Sequence, residues 1–162
     1  MNNRMDGLKK VATLCVLRCE NQFLLLKRFK EPNKDQFTPV GGKIEPFESP
    51  RQGVIRETWE ETGIAVSDVY FAGILTETSP TKYNWISYVY VADIPYQTPP
   101  SCPEGFLEWI SFPNLTSIPT PPTDFFLYDY IAKGTPFALS GIYNENLELT
   151  ALVEEISGKQ LI

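Results

Sequence analysis

The segment from Glu48 to Thr62 carries the strongest helix signals in the chain. Ser49 is a suitable N-cap, Pro50 suits the first helical position, and Gln52 completes a capping box three residues after the cap. Gly63 follows at the position where a helix commonly ends. These signals predict a single helix with defined ends, and the rest of the fold must supply a surface for it.

The predicted helix has an acidic side and an apolar side. At about 100° per residue, Glu57, Glu60 and Glu61 lie on one face within a single turn. The other side carries Val54, Ile55, Thr58 and Thr62. Like charges at this spacing repel, and they sit in the half of the helix where the macrodipole disfavours anions. Either a bound cation offsets this cost, or the stripe is a solvated charged face.

Composition narrows the chemistry that the chain can perform. The chain has no histidine, which excludes Ser–His–Asp and Cys–His mechanisms and any His-ligated metal. Three cysteines without a CxxC pair make zinc a poor candidate, whereas oxygen ligands suit Mg²⁺ or Mn²⁺. A net charge of −6 argues against binding to a nucleic-acid polymer. A divalent cation would still allow binding of a phosphorylated small molecule.

The remaining pattern favours one α/β or α+β domain. A length of 162 residues is typical of a single domain. We expect strands at Val11–Cys19, Phe23–Arg28, Val69–Leu75, Trp85–Ala92, Phe106–Phe112, Phe137–Tyr143 and Leu147–Val153, and a second helix at Asp124–Lys133. No apolar run is long enough to span a bilayer, and Met1–Lys10 is too polar for a signal peptide, so we expect a cytoplasmic protein.

The segment Gly42–Ile64, GKIEPFESPRQGVIRETWEETGI, resembles the signature of the Nudix hydrolases, G-x5-E-x7-R-E-U-x-E-E-x-G-U, where U is a bulky aliphatic residue. Every invariant position is filled, and Thr58 is a β-branched substitute at the first U position. The resemblance implies a Nudix-type α/β/α sandwich with a mixed β-sheet. Residues 1–162 would form one Nudix domain with its signature box at residues 42–64.

The resemblance also implies roles for individual residues. Glu57, Glu60 and Glu61 would hold Mg²⁺, or Mn²⁺, together with the carbonyl of Gly41. Arg56 would pair with Glu48 and fix the geometry of the box. The base that activates water would be Glu61, Glu60 or the loop residue Glu104, which would also contact the metal. Gly42, Glu48 and Gly63 would be structural residues of the box.

A more diffuse similarity connects the chain with MutT-type diphosphatases that act on oxidised purine nucleotides. It rests on Phe37–Lys43, on Leu107–Ile110 followed by Asp124, and on the hairpin Phe137–Val153. It implies a substrate pocket that contains Arg28, Phe37, Thr38, Lys43 and Asp124. Phe37, Trp109, Phe125 and Phe126 are candidates to stack on a purine. Thr38 departs from the Asn often found in these relatives, and Asp124 has an equal interpretation as the N-cap of its helix.

The function implied is metal-dependent hydrolysis of a modified, 8-oxo-type purine nucleoside triphosphate to the monophosphate and pyrophosphate. An alternative is an ADP-ribose or nucleotide-sugar diphosphatase, to which Pro80 beyond the box gives weak support. A non-catalytic, Nudix-like nucleotide-binding regulator is a third possibility, although such proteins usually lose box glutamates. The expected partner is a small nucleotide rather than a nucleic acid or a membrane, and the chain is expected to be a monomer or a homodimer.

Overall fold

The computed structural model describes residues 4–162 and has, within this range, two α-helices and eleven strands. Residues 1–3, the start of the segment judged too polar for a signal peptide, lie outside the described residues. The helices are α1 (Pro50–Thr62) and α2 (Pro122–Ala132). The strands are β1 (Lys10–Cys19), β2 (Gln22–Arg28), β3 (Phe37–Thr38), β4 (Val40–Lys43), β5 (Tyr70–Thr78), β6 (Trp85–Asp93), β7 (Ser101–Cys102), β8 (Gly105–Ser111), β9 (Phe137–Tyr143), β10 (Leu149–Glu154) and β11 (Lys159–Gln160).

The strands form one mixed sheet in the order β11-β10-β9-β5-β6-β1-β2-β8-β7, with β3 added to β2 and β4 added to β1. Strands β1 and β6 run parallel, as do β5 and β9, and the other pairs are antiparallel. The predicted hairpin of β1 and β2 is present, with Leu17 opposite Leu24. The central position of β1 places β4, and the loop that leads to α1, against the middle of the sheet.

The two helices cover opposite faces of this sheet. Val16 of β1 belongs to the same apolar core as Leu127 and Tyr128 of α2. Its neighbour Cys15 belongs to a second core, which contains Val54 of α1. Because successive residues of a strand point to opposite faces, β1 contributes to both cores. The predicted α/β/α sandwich with a mixed sheet is therefore confirmed.

Helix α1 has the ends that the sequence predicts. The Ser49 hydroxyl accepts a hydrogen bond from the backbone N–H of Gln52, and the Gln52 side chain accepts one from the Ser49 N–H. Gly63 ends the helix with φ of 70°, which a glycine adopts without strain. Val54, Thr58 and Thr62 are buried, as expected for the apolar side.

Several predicted boundaries differ from the structure by one to three residues, and three of these differences have a clear physical reason. Strand β5 was expected to end at Leu75 but continues to Thr78, because Glu77 still pairs with Trp85 of β6 and Thr78 with Ile142 of β9. Helix α2 begins at Pro122, two residues earlier than expected, since proline suits a first helical turn. Strand β10 begins at Leu149 because Leu147, with φ of 58°, belongs to the turn.

No helix within residues 4–162 is long and apolar enough to cross a bilayer.

Candidate active site

The guanidinium of Arg56 organises the acidic residues of α1 and the loop before it. Its Nε and Nη2 donate to the two carboxylate oxygens of Glu48, at 2.7 and 2.9 Å. Nη1 donates to Glu57 at 2.8 Å and to Glu60 at 3.1 Å, and Nη2 also donates to the carbonyl of Lys43 at 3.1 Å. All five N–H donors of the guanidinium are therefore in use. The pair expected between Arg56 and Glu48 is present.

Strand β4 brings two glycines against the acidic side of α1. A Cβ added to Gly42 would lie 2.4 Å from the carboxylate carbon of Glu57, so any larger residue at this position would displace the Glu57 carboxylate. The backbone N–H of Gly41 donates to the carboxylate of Glu61 at 3.3 Å. The glycine pair therefore sets the distance between the β4 backbone and the acidic side of the helix.

The carboxyl of Glu61 has a strongly raised pKa. Burial raises its pKa to about 7, and the negative charges of Glu57 and Glu104 act in the same direction. The hydrogen bond from Gly41 and the positive charge of Arg28 oppose the rise. Glu104 is thus close enough to Glu61 to influence it, and its own backbone carbonyl accepts a hydrogen bond from Phe29. Arg28 and Glu104 belong to the same end of the site as Glu61.

The donor chemistry of this region fits a hard divalent cation. Every candidate ligand is an oxygen, and the negative charges of Glu57 and Glu104 raise the cost of leaving Glu61 ionised without a cation. Within residues 4–162 no three acidic, Cys or His side chains converge on one point. The carboxylates of Glu57 and Glu60 instead face Arg56, which lies between them.

A cavity of about 390 Å³ opens beside Glu61 and crosses one face of the sheet. Its floor includes Leu75 of β5, Ser87 of β6 and Ala12 of β1, and its edge includes Lys43 of β4. Ser87 pairs with Ala12, and Ala12 pairs with Lys43. From β5 to β4 the cavity therefore crosses three strand spacings, or about 14 Å. The start of α2 closes the side above the sheet.

The end of the cavity on β5 holds a polar cluster that sequence reasoning missed. Glu77 is 6% exposed and accepts hydrogen bonds from the hydroxyls of Tyr83 at 3.0 Å and Tyr143 at 2.5 Å. All three residues line the cavity, as does Trp85. The sequence did contain a signal for this cluster. Side chains alternate between the two faces of a strand, so Glu77 lies on the same face of β5 as the core residue Leu75. The predicted end of the strand at Leu75 concealed this relation.

The structure brings four of the five expected pocket residues to the cavity. Arg28, Thr38, Lys43 and Asp124 line it. Phe37 does not; its side chain is buried in the core shared with α2, and its carbonyl accepts hydrogen bonds from Tyr128 and Thr120. The aromatic rings expected to stack on a purine, Phe37, Trp109, Phe125 and Phe126, are absent from the cavity lining, where Tyr83, Trp85 and Tyr143 are found instead.

The N-cap interpretation of Asp124 is wrong. The N-cap of α2 is Pro121, and Asp124 is the third residue of the helix. Its side chain is 7% exposed and lines the cavity. Burial raises the pKa of Asp124 to about 8, and the negative charge of Glu77 contributes to the shift while a hydrogen bond with Thr123 opposes it. Two acids, Glu77 and Asp124, therefore share the end of the cavity far from Glu61.

Comparison with known proteins agrees with this fold. The family model of the NUDIX domain matches residues 8–133. An uncharacterised Nudix hydrolase of Bacillus subtilis, YvcI, is 33% identical over 135 residues, covering 80% of this chain and 83% of that protein. A MutT protein from Bacillus halodurans superposes with a TM-score of 0.80 at 25% identity, covering 91% of this chain and 98% of that one. The NUDIX domain of Shewanella oneidensis NrtR, solved with ADP-ribose, shares the fold at 17% identity, with a TM-score of 0.68 over 82% of this chain and 92% of that domain.

The class of the protein follows from the match to the NUDIX family model over most of the chain and from the 33% identity to the Bacillus subtilis hydrolase. The chain belongs to the Nudix hydrolase family, whose members generally use divalent metals and bind small nucleotide substrates. It is a Nudix pyrophosphohydrolase.

Proposed function

We propose that the chain hydrolyses a purine nucleoside triphosphate, with an oxidised, 8-oxo-type base preferred, to the nucleoside monophosphate and pyrophosphate. The observation that carries the proposal is the cavity, which joins the acidic helix at one end to the Glu77–Asp124 pair at the other. A span of about 14 Å suits an extended nucleotide, with phosphates at the helix and the base at the pair. We also propose that residues 1–162 act as one domain.

At the phosphate end, Glu57, Glu60 and Glu61, with the carbonyl of Gly41, would hold Mg²⁺ or Mn²⁺. The cation, when bound, neutralises phosphate charge and lowers the pKa of water. Glu104 is a further candidate ligand because its charge acts on Glu61. Arg56 orients Glu48, Glu57 and Glu60, and a proton from the attacking water would pass to Glu61, Glu60 or Glu104.

Two cationic side chains on the cavity wall would bind the phosphates. Arg28 lies near Glu61, and its Nε donates to the carbonyl of Pro32 at 2.8 Å, which holds the side chain in place. Lys43 has its ammonium 5.9 Å from the centre of the Trp85 ring. Both line the cavity. Point charges and guanidinium groups of this kind stabilise phosphoryl oxygens.

Two further polar side chains of the cavity lining are available to contact a base. The Thr38 hydroxyl is buried without a hydrogen-bond partner among residues 4–162, although it lines the cavity. A buried hydroxyl of this kind costs free energy until a partner is supplied, and the base of a nucleotide would supply one. Asp124 lies at the same cavity and would read the edge of the ring.

A panel of nucleotides with Mg²⁺ tests the proposal. Product analysis of reactions with the common purine and pyrimidine triphosphates, 8-oxo-dGTP and ADP-ribose should show monophosphate and pyrophosphate from purine triphosphates, fastest for the oxidised base. In the Asp124→Ala variant, the ratio of kcat/KM between the best and the poorest triphosphate should become smaller. Faster turnover of ADP-ribose than of every purine triphosphate would overturn the proposal and favour the alternative diphosphatase.

A further inference from the structure

The acid on β5 has an unusual arrangement of hydrogen bonds. The hydroxyls of Tyr83 and Tyr143 both donate to the same oxygen of Glu77, Oε2. Within the described part of the chain, Oε1 accepts no hydrogen bond and forms no ion pair. The ammonium of Lys9, whose charge acts on Glu77, donates to the backbone carbonyl of Glu77 at 2.8 Å and to the hydroxyl of Thr78, not to the carboxylate. One oxygen is thus fixed and the other is left for a ligand.

The cluster is held rigidly from the outside of the cavity. Asn84, 2% exposed, accepts a hydrogen bond from Lys9 at 3.1 Å and donates to the carbonyls of Ser79 and Thr81. This network fixes the loop from β5 to β6 that carries Tyr83. Tyr83 also packs edge-on against Tyr143, with ring centres 5.6 Å apart. A preorganised acceptor of this kind discriminates between ligands better than a mobile one does.

We propose that Glu77 determines which base the enzyme accepts, by taking a hydrogen bond on Oε1 from an exocyclic amino group. Tyr83 and Tyr143 are positioning residues that aim this oxygen. The inference rests on the proposed function, because it requires the base to occupy the β5 end of the cavity. A buried carboxylate is an acceptor. If the base presents a carbonyl oxygen to Oε1, two acceptors face each other and neither receives a hydrogen bond.

The two tyrosines also determine how a glutamine at position 77 would orient its amide group. In Glu77→Gln, the amide oxygen would take the bonds from Tyr83 and Tyr143, because the amide nitrogen cannot accept them. The –NH₂ group would then face the ligand as a donor. The preference for an amino group over a carbonyl at that position should therefore be lost or reversed, rather than merely weakened.

Binding of nucleoside monophosphates, measured by titration calorimetry, tests this without any turnover. AMP and IMP differ by an amino or a carbonyl group at position 6, and GMP and IMP by the presence or absence of the amino group at position 2. For the wild type, AMP or GMP should bind about tenfold more tightly than IMP. The preference should disappear or reverse in Glu77→Gln, whereas Glu145→Gln in the exposed turn before β10 should leave it unchanged.

Tyr143→Phe is the second variant, since it keeps the acid and removes one positioning bond. It should lower the amino preference several-fold with little change in IMP affinity, and the exposed Tyr70→Phe is its matched control. Equal affinity of the wild type for AMP, GMP and IMP, or a Glu77→Gln variant that weakens all three equally, would overturn the inference. These binding results would not contradict the proposed hydrolysis. Conversely, a protein that prefers AMP or GMP over IMP but hydrolyses no triphosphate would overturn only the proposed reaction.

Discussion

Arg56 and Glu48 are joined by two parallel hydrogen bonds, of 2.7 and 2.9 Å, eight residues apart in the chain. This fork connects the loop after β4 to the middle of α1, and the same guanidinium reaches Glu57 and Glu60. The geometry of the acidic helix therefore depends on a planar group with five donors. A lysine has one ammonium at the end of a flexible chain and cannot make this set of bonds.

Arg56→Lys should consequently impair catalysis although it keeps the charge. We expect kcat/KM to fall roughly 10- to 100-fold, the usual effect of losing a group that orients metal ligands. Steady-state kinetics at saturating Mg²⁺ measures this. The matched control is Arg18→Lys, which loses a fork of two hydrogen bonds to Asp93. Arg18 is partly buried and does not line the cavity, so this variant should keep its activity. Equal kinetics for the two variants would contradict the assigned role.

Glu60→Gln should separate activity from stability. The Glu60 side chain is 54% exposed and its ion pair with Arg56 is a surface contact, which contributes about 0–1 kcal/mol at most. Removing a charge from a repelling cluster offsets part of that loss. We expect kcat to fall by about 100-fold or more while the melting temperature in EDTA stays nearly unchanged. A variant that melts much earlier but hydrolyses normally would indicate a purely structural residue.

Gly42→Ala tests the contact between β4 and the helix. The added methyl would lie 2.4 Å from the carboxylate carbon of Glu57, so that side chain must move. We expect roughly 10- to 100-fold lower kcat/KM. Gly7→Ala is the matched control, because a Cβ at Gly7 meets no atom within 4 Å. If both alanine variants retain wild-type kinetics, Glu57 has no fixed role at this position.

The raised pKa of Asp124 predicts a pH dependence of stability. Because burial and the charge of Glu77 raise its pKa to about 8, the folded state holds a proton that the unfolded chain, with a pKa near 3.9, releases earlier. Asp124 therefore costs no stability below about pH 4 and costs progressively more as the pH rises toward about 8. Urea unfolding of Asp124→Asn should show a gain over the wild type that grows from pH 5 to pH 8, by up to about 1.4 kcal/mol per pH unit. A constant difference across this range would show that the carboxyl has an ordinary pKa.

The sequence predicts the parts of this molecule that depend on local signals. Helix α1 has its expected ends because Ser49, Gln52 and Gly63 act within a few residues of each other, and the box places three glutamates on one face. The residues at the β5 end of the cavity could not be found in this way. Glu77 and Tyr143 are 66 positions apart and meet only because β5 pairs with β9. The prediction that Phe37 lies in the substrate pocket fails for the same reason, because its ring packs in the core shared with α2.

Product analysis with a purine nucleoside triphosphate and Mg²⁺ tests the central claim most directly. Chromatography of the reaction, with and without EDTA, should show monophosphate and pyrophosphate in equal amounts, with 8-oxo-dGTP consumed faster than dGTP, and no products in EDTA. Release of single phosphates, turnover that persists in EDTA, or a rate with ADP-ribose that exceeds the rates with all purine triphosphates would contradict the account.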